Sequence, residues 1–280
     1  MASAPSPTSS PPPGSAPTSA PTSAVVTGAA RGIGRAIAVR LVAAGHRVVI
    51  TDVDAEAVAA TATRIGATGV AQDVRDPASH RAVASVATGL APLGVWVNNA
   101  GVGFDGDLAA LSDEQVRGLV DVNLLGTLWG MRAALDAFGP VGAPSGALVN
   151  VASLSGLGPV PGLSVYAATK AAVVSITTSV ALEAPAGLGV HAVLPDGVAT
   201  QMVEDMSDGT GKRLVSSGGR LLTVEEIAEV VLGLIGSRRV LRTVPAWRGA
   251  AMRVSMLAPS LASAGIAVFE RQGGRVLRRQ

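Results

Sequence analysis

The chain has 280 residues, a formal net charge of +2 and no cysteine. That excludes disulfides and thiolate metal sites and fits a reducing, cytoplasmic setting. Charged residues make up 15% and hydrophobic ones 48%, against about 25% charged in a typical globular chain. A large core or buried subunit contacts should follow, and no nucleic-acid partner is expected.

Residues 1–22 hold seven prolines and otherwise Met1, Ala, Ser, Thr and Gly. Such a segment cannot bury enough surface to offset its ordering entropy and reads as a disordered extension. From Ala24 to Leu194, short Val-rich runs alternate with Ala-rich stretches of helical length. Strands are expected at Ala24–Val26, Arg47–Thr51, Thr68–Ala71, Val95–Val97, Ala147–Val151 and Val190–Leu194. Helices are expected near 33–44, 54–65, 77–88, 112–138 and 165–184. The strands are continuously apolar, as in a sheet covered on both faces. The alternation predicts an α/β fold: a Rossmann-type, doubly wound parallel sheet flanked by helices, as one domain over residues 23–249. Residues 201–220 mix Gly, Ser and both charges and read as a mobile segment. Thr223-Val-Glu-Glu226 carries a capping-box pattern that starts another helix, and Val240–Val244 suits a final strand.

Residues 250–280 form a C-terminal segment. Its stretch 254–269 is uncharged but too short and too interrupted, at Pro259 and Gly265, to span a membrane. Two readings remain for it. It packs on its own or a partner subunit through Val254, Met256, Leu257, Leu261, Ile266, Val268 and Phe269 and closes the substrate pocket, or it lies on a membrane surface with Arg248, Arg253, Arg271 and Arg275 at the headgroups. Small residues Ala262, Ser263, Ala264 and Gly265 favour the protein contact.

The first strand runs into Thr27-Gly-Ala-Ala-Arg-Gly-Ile-Gly34. Glycines let backbone amides approach a pyrophosphate at a helix N-terminus, where the helix dipole favours anions. Asp52, 18 residues after Gly34, ends the second strand, where a carboxylate accepts from ribose hydroxyls and repels a 2′-phosphate. Arg31 in the glycine turn pulls the other way. Farther along stands Tyr166, the sole tyrosine. Four residues on is Lys170, one of two lysines (the other is Lys212) among 22 basic residues. Positions i and i+4 share a helix face, and an ammonium there can lower a phenol's pKa and fit it for proton transfer. His46, His80 and His191 are scattered, and no metal site is expected.

Thr27–Gly34, Asn98-Asn-Ala-Gly101, Ser153, and Tyr166 with Lys170 together resemble the short-chain dehydrogenase/reductase family in its ~250-residue form. The resemblance covers about residues 24–202. It implies a catalytic set of Asn123, Ser153, Tyr166 and Lys170. Ser153 would orient the substrate oxygen, and Asn123 would hold a water in a proton relay. Tyr166 as phenolate would take the carbinol proton while hydride passes to nicotinamide. Lys170 would lower the phenol's pKa and bind the nicotinamide ribose. The implied cofactor contacts are Gly28, Arg31, Gly32, Ile33, Gly34 and Asp52. They continue with Asp73 and Val74 at the adenine, then Asn99, Ala100 and Gly101, with Asn98 supporting the sheet. Tyr166, Lys170, Pro195, Val198 and Thr200 complete the set. One departure is Asp196, where the family has Gly; it would point away from the cofactor, with Gly197 absorbing the turn.

The expected cofactor is NAD, with NADP favoured less because of Asp52. The expected substrate is an apolar secondary alcohol or ketone, its pocket lined by Leu154, Leu157, Val160, Leu163, Val198, Met202 and Met206. An NADPH-dependent ketoreductase, for instance of acyl thioesters, and a non-catalytic nucleotide-binding scaffold are the alternatives. Small residues on the helices near 112–138 and 165–184 imply a homodimer or homotetramer.

Overall fold

The computed structural model describes residues 21–139, 146–257 and 259–278. Nearly all of the Pro-rich extension, and the side chains of Leu261, Ala262, Ser263 and Ala264, fall outside the described set.

Seven strands form one sheet: β1 (Ser23–Thr27), β2 (Arg47–Asp52), β3 (Thr68–Ala71), β4 (Leu93–Asn98), β5 (Gly146–Val151), β6 (Leu188–Pro195) and β7 (Leu241–Val244). Their order is β3-β2-β1-β4-β5-β6-β7, and every pairing is parallel. Side chains alternate across each strand. Ala24 and Val26 of β1 therefore join one core with Val97 and Val149, beneath α1 (Gly32–Ala43), α2 (Ala55–Ile65) and α9 (Val224–Leu234). Val25 and Trp96 face the other core, under α3 (Pro77–Leu90), α5 (Gly126–Ala137) and α6 (Ser164–Glu183). Burial on both faces explains the unbroken Val runs. The order reverses between β1 and β4, so a crevice opens at the carboxyl ends of those strands.

Local chemistry sets the helix ends. Asp54 accepts from Ala57 N at the start of α2, and Gly66 ends it at φ 75°. Asp76 caps α3 ahead of Pro77. Thr223 and Glu226 form the expected capping box at α9.

The helix expected over 112–138 is not uniform. It runs as α4 (Asp113–Leu119), a π-helical turn at Val120–Leu125, and α5. Residues 201–220, read as mobile, instead form α7 (Gln201–Glu204), α8 (Thr210–Val215) and a 3₁₀ turn at Ser216–Gly218. Tertiary contacts supply what their composition lacks. Lys212 Nζ donates to Met206 O at 2.9 Å, and Arg213 pairs with Glu270 at 2.7 Å. Beyond β7 come α10 (Ala246–Leu257) and α11 (Pro259–Leu277). The boundary drawn at 249/250 falls inside α10. α11 packs on α8, with Gly273 against the Arg213 carbonyl.

Candidate active site

The nucleotide end is built on two tight turns locked together. Thr27 Oγ1 accepts from Asn99 N (3.0 Å) and Ala100 N (3.1 Å), and Asn99 Nδ2 donates to the carbonyls of Thr27 and Gly28 (both 2.9 Å). Gly28 sits at φ 62°, and a Cβ there would fall 2.6 Å from Ala100 Cα. α1 starts with no side-chain cap and no acid in its first turn, so its first amides stay available to an anion. Asp52 Oδ2 accepts from Ala30 N at 3.1 Å, which fixes the carboxylate beside the same turn.

At the far edge Asp73 is not free. Arg75 grips it with Nε at 2.9 Å, and this hydrogen bond holds the Asp73 carboxyl below its ordinary range. Sequence reasoning passed over Arg75. Val74 is braced from behind: its carbonyl accepts from His80 Nε2 at 2.9 Å. His80 is fully buried beside Trp96, and burial lowers its pKa. His191 and His46 likewise meet Arg239 O and Thr22 Oγ1.

The reacting end gathers on β5, α6 and the turn after β4. Tyr166 and Lys170 share the inner face of α6, and both line the cavity with Ser153. Lys170 Nζ donates to Val151 O at 3.0 Å, 5.8 Å from the centre of the Tyr166 ring. Burial pulls the lysine's pKa down to about 8. The expected depression of the Tyr166 phenol is not found. Burial raises its pKa, and the Ser153 hydroxyl opposes this only in part. Ser153 Oγ accepts from Ser155 N at 3.1 Å, which orients the hydroxyl.

Asn123 lies wholly buried in the π-helical turn. Its Oδ1 accepts from Val102 N and its Nδ2 donates to Val102 O, each at 2.9 Å. The side chain is thereby spent on the turn behind Gly101, where a Cβ would stand 3.1 Å from Asn123 Oδ1 and 3.6 Å from Lys170 Nζ. The Asn123 carbonyl accepts from Thr127 Oγ1 at 2.8 Å. Asn98 faces away from the cavity and bonds Trp96 Nε1 (2.8 Å) and Asn150 Oδ1 (2.9 Å), tying β4 to β5.

One cavity of about 920 Å³ joins these groups. It runs from Gly28, Arg31, Gly32, Ile33, Arg35 and Asp52 past Asp73, Val74, Asn99, Ala100 and Gly101 to Ser153, Tyr166 and Lys170, with Pro195, Val198 and Thr200 alongside. Its far end is apolar: Leu154, Val160, Leu163, Met202 and Met206 line it as expected. Leu157 does not; it packs against Val173 and Ala192. Leu214, Val215, Met252, Ile266 and Phe269 complete the wall. Ile266 and Phe269 of α11, expected to close the pocket, line it together with Met252 of α10, whereas Val254, Met256, Leu257 and Val268, expected to pack, are exposed.

Asp196 turns to Arg248 of α10. Its carboxylate is buried and receives Arg248 Nε at 2.8 Å. Burial pushes this carboxyl above its usual range, and Arg248 offsets part of the rise.

Parallel strands, a glycine turn at a bare helix N-terminus and a crevice at the strand reversal define a dinucleotide-binding α/β protein. The cradle fits the group: the Gly28 turn admits no side chain, the first α1 amides have no side-chain cap, and the Asp52 carboxylate stands beside the same turn. The family model for short chain dehydrogenase matches residues 22–211. The chain belongs to that family, NAD(P)-dependent oxidoreductases acting on CH–OH groups. An inactive 2-(S)-hydroxypropyl-CoM dehydrogenase of Xanthobacter autotrophicus is 34% identical over 209 residues, 70% of this chain and 90% of that protein. A short chain dehydrogenase/reductase of Burkholderia phymatum, solved with NAD, superposes with a TM-score of 0.77 at 27% identity, covering 86% of this chain and 95% of the other. A single-substitution variant of the actinorhodin polyketide ketoreductase, solved with NADPH, gives 0.73 at 30% identity, covering 80% of this chain and 95% of the other.

Proposed function

We propose that the protein interconverts an apolar secondary alcohol and its ketone with NAD, using Tyr166 as the general acid–base. The observation that carries this is the continuity of one cavity from Asp52, through Ser153, Tyr166 and Lys170, to an apolar end wall. A bound nicotinamide supplies the hydride acceptor or donor. The chain's residues do the rest. Ser153 donates a hydrogen bond to the substrate oxygen and orients it. Tyr166 takes the hydroxyl proton in oxidation and returns it in reduction. Lys170 holds a ribose hydroxyl and passes the proton toward the main chain at Asn123. The apolar wall excludes water and selects a hydrocarbon substituent.

NADPH is the second reading, because Arg31 and Arg35 line the same cavity and could meet a 2′-phosphate. Asp52 favours NAD, since its carboxylate stands beside the glycine turn at the ribose end. A pseudo-enzyme is opposed by the joint presence of Ser153, Tyr166 and Lys170 on one cavity wall.

Turnover of a secondary-alcohol series with NAD and NADP tests the proposal. Tyr166→Phe should lower kcat at least ~100-fold, within the range of general acid–base catalysis, while NADH still quenches or enhances fluorescence on binding. Near-native turnover in that variant would overturn the assignment.

A further inference from the structure

The pair Asp196–Arg248 lies 52 residues apart in sequence, with side chains 8% and 7% exposed. Arg248 does more than neutralise the acid. Its Nη2 reaches Asp196 Oδ1 at 3.3 Å and donates to Ser217 Oγ at 2.9 Å. The guanidinium carbon lies 4.8 Å from the Phe269 ring centre and 5.7 Å from that of Trp247. Ser217 Oγ donates in turn to Leu214 O at 2.6 Å, and Leu214 lines the substrate end. The turn is pressed onto the acid, for a Cβ on Gly218 would fall 2.7 Å from Asp196 Oδ2. Asp196 itself follows β6 and is anchored by its amide to Val244 O at 2.8 Å.

Four separate segments thus meet at one guanidinium: the loop after β6, the turn after α8, α10 and α11. A buried ion pair is a poor source of net stability compared with an apolar replacement, but its forked geometry is directional. We propose that Arg248 is a positioning residue that clasps Asp196, Ser217 and Phe269 and so locks the substrate wall to the loop 195–200. Its kinetic consequence rests on the dehydrogenase reading above; its structural consequence does not. Lysine cannot replace it, since a point charge lacks the fork and the planar face that lies against an aromatic ring.

Hydrogen–deuterium exchange on the full-length protein tests this. Removing one partner strands a buried charge and can unfold the chain, so the principal variant is the double one, Asp196→Asn with Arg248→Met. Amides in residues 210–219 and 265–275 should exchange at least ~10-fold faster, as local opening allows, while those of β4 and β5 keep their protection. With 2-alkanols and NAD, KM should rise by a larger factor than kcat falls. Arg248→Lys should loosen the same two segments. Wild-type exchange in both segments of either variant would overturn the proposal. Equal acceleration throughout the sheet would overturn it too, by making Arg248 a residue of the fold at large. A wild-type protein without turnover on any alcohol would sink the dehydrogenase reading and leave exchange to judge the clasp.

Discussion

Lys170 carries its charge in a buried place, and that sets a pH signature. In the unfolded chain a lysine titrates near 10.4; in the folded protein burial lowers it to about 8. Between these values the unfolded state binds the extra proton, so stability rises with pH. The limiting slope is about 1.4 kcal/mol per pH unit for one group. Lys170→Met should abolish this gain between pH 8 and 10, seen as a flatter plot of urea-unfolding free energy against pH. A second residue-scale test concerns the cofactor. Asp52→Ala should weaken NADH binding and strengthen NADPH binding, because repulsion of a 2′-phosphate goes with the carboxylate. A wild-type protein that already prefers NADPH would mean that Arg31 and Arg35 outweigh it. Much at this scale was legible in the sequence, because the Tyr166–Lys170 spacing and the glycine turn are local. Arg75 was local too, two residues from Asp73, and was overlooked. The partner of Asp196 was not legible. Nothing within a few residues of position 196 marks Arg248, and only the folded chain brings the two together.

At the level of elements, strand–helix alternation placed β1 to β6 within one or two residues at each end. It did so because both faces of the sheet are covered and the strands are correspondingly apolar. It failed at α7 and α8. Their sequence is rich in Gly, Ser and charge, and their order comes from outside: Arg213 with Glu270, and Gly211 against the Gly162 backbone. The π-helical turn at Val120–Leu125 left no mark on the apolar pattern beyond the polar Asn123. The contact between α8 and α11 is the sharpest test here. Gly273 meets the Arg213 carbonyl so closely that any side chain must push the two helices apart. Gly273→Leu should cost about 1–3 kcal/mol, as overpacking does, measured by urea unfolding. It should also open the substrate wall and raise KM. An unchanged midpoint would mean that α11 is held less tightly than its packing indicates.

For the whole molecule, one outer surface stands out. Helix α6 is long and apolar enough to cross a membrane by composition alone, yet its inner face packs Lys170, Val173 and Thr177 into the domain. Its outer face keeps small residues such as Ala168 and Ala171, together with Leu182 at 86% exposure. Small side chains let a second helix approach closely, so a homodimer or homotetramer is expected. Light scattering should give at least twice the monomer mass at micromolar concentration, and a monomer there would refute it.

The apolar wall contributed by Met252, Ile266 and Phe269 has a consequence in time. Chains are made from the N-terminus at about 5–20 residues per second. The segment from Thr200 to Leu277 therefore emerges on the order of 4–15 s after the nucleotide cradle and the Tyr166–Lys170 face. During that interval the apolar faces that α9, α10 and α11 will later cover lie open to water. Those exposed faces are where a chaperone would find its grip, and arrest of translation after residue 200 should lengthen the association.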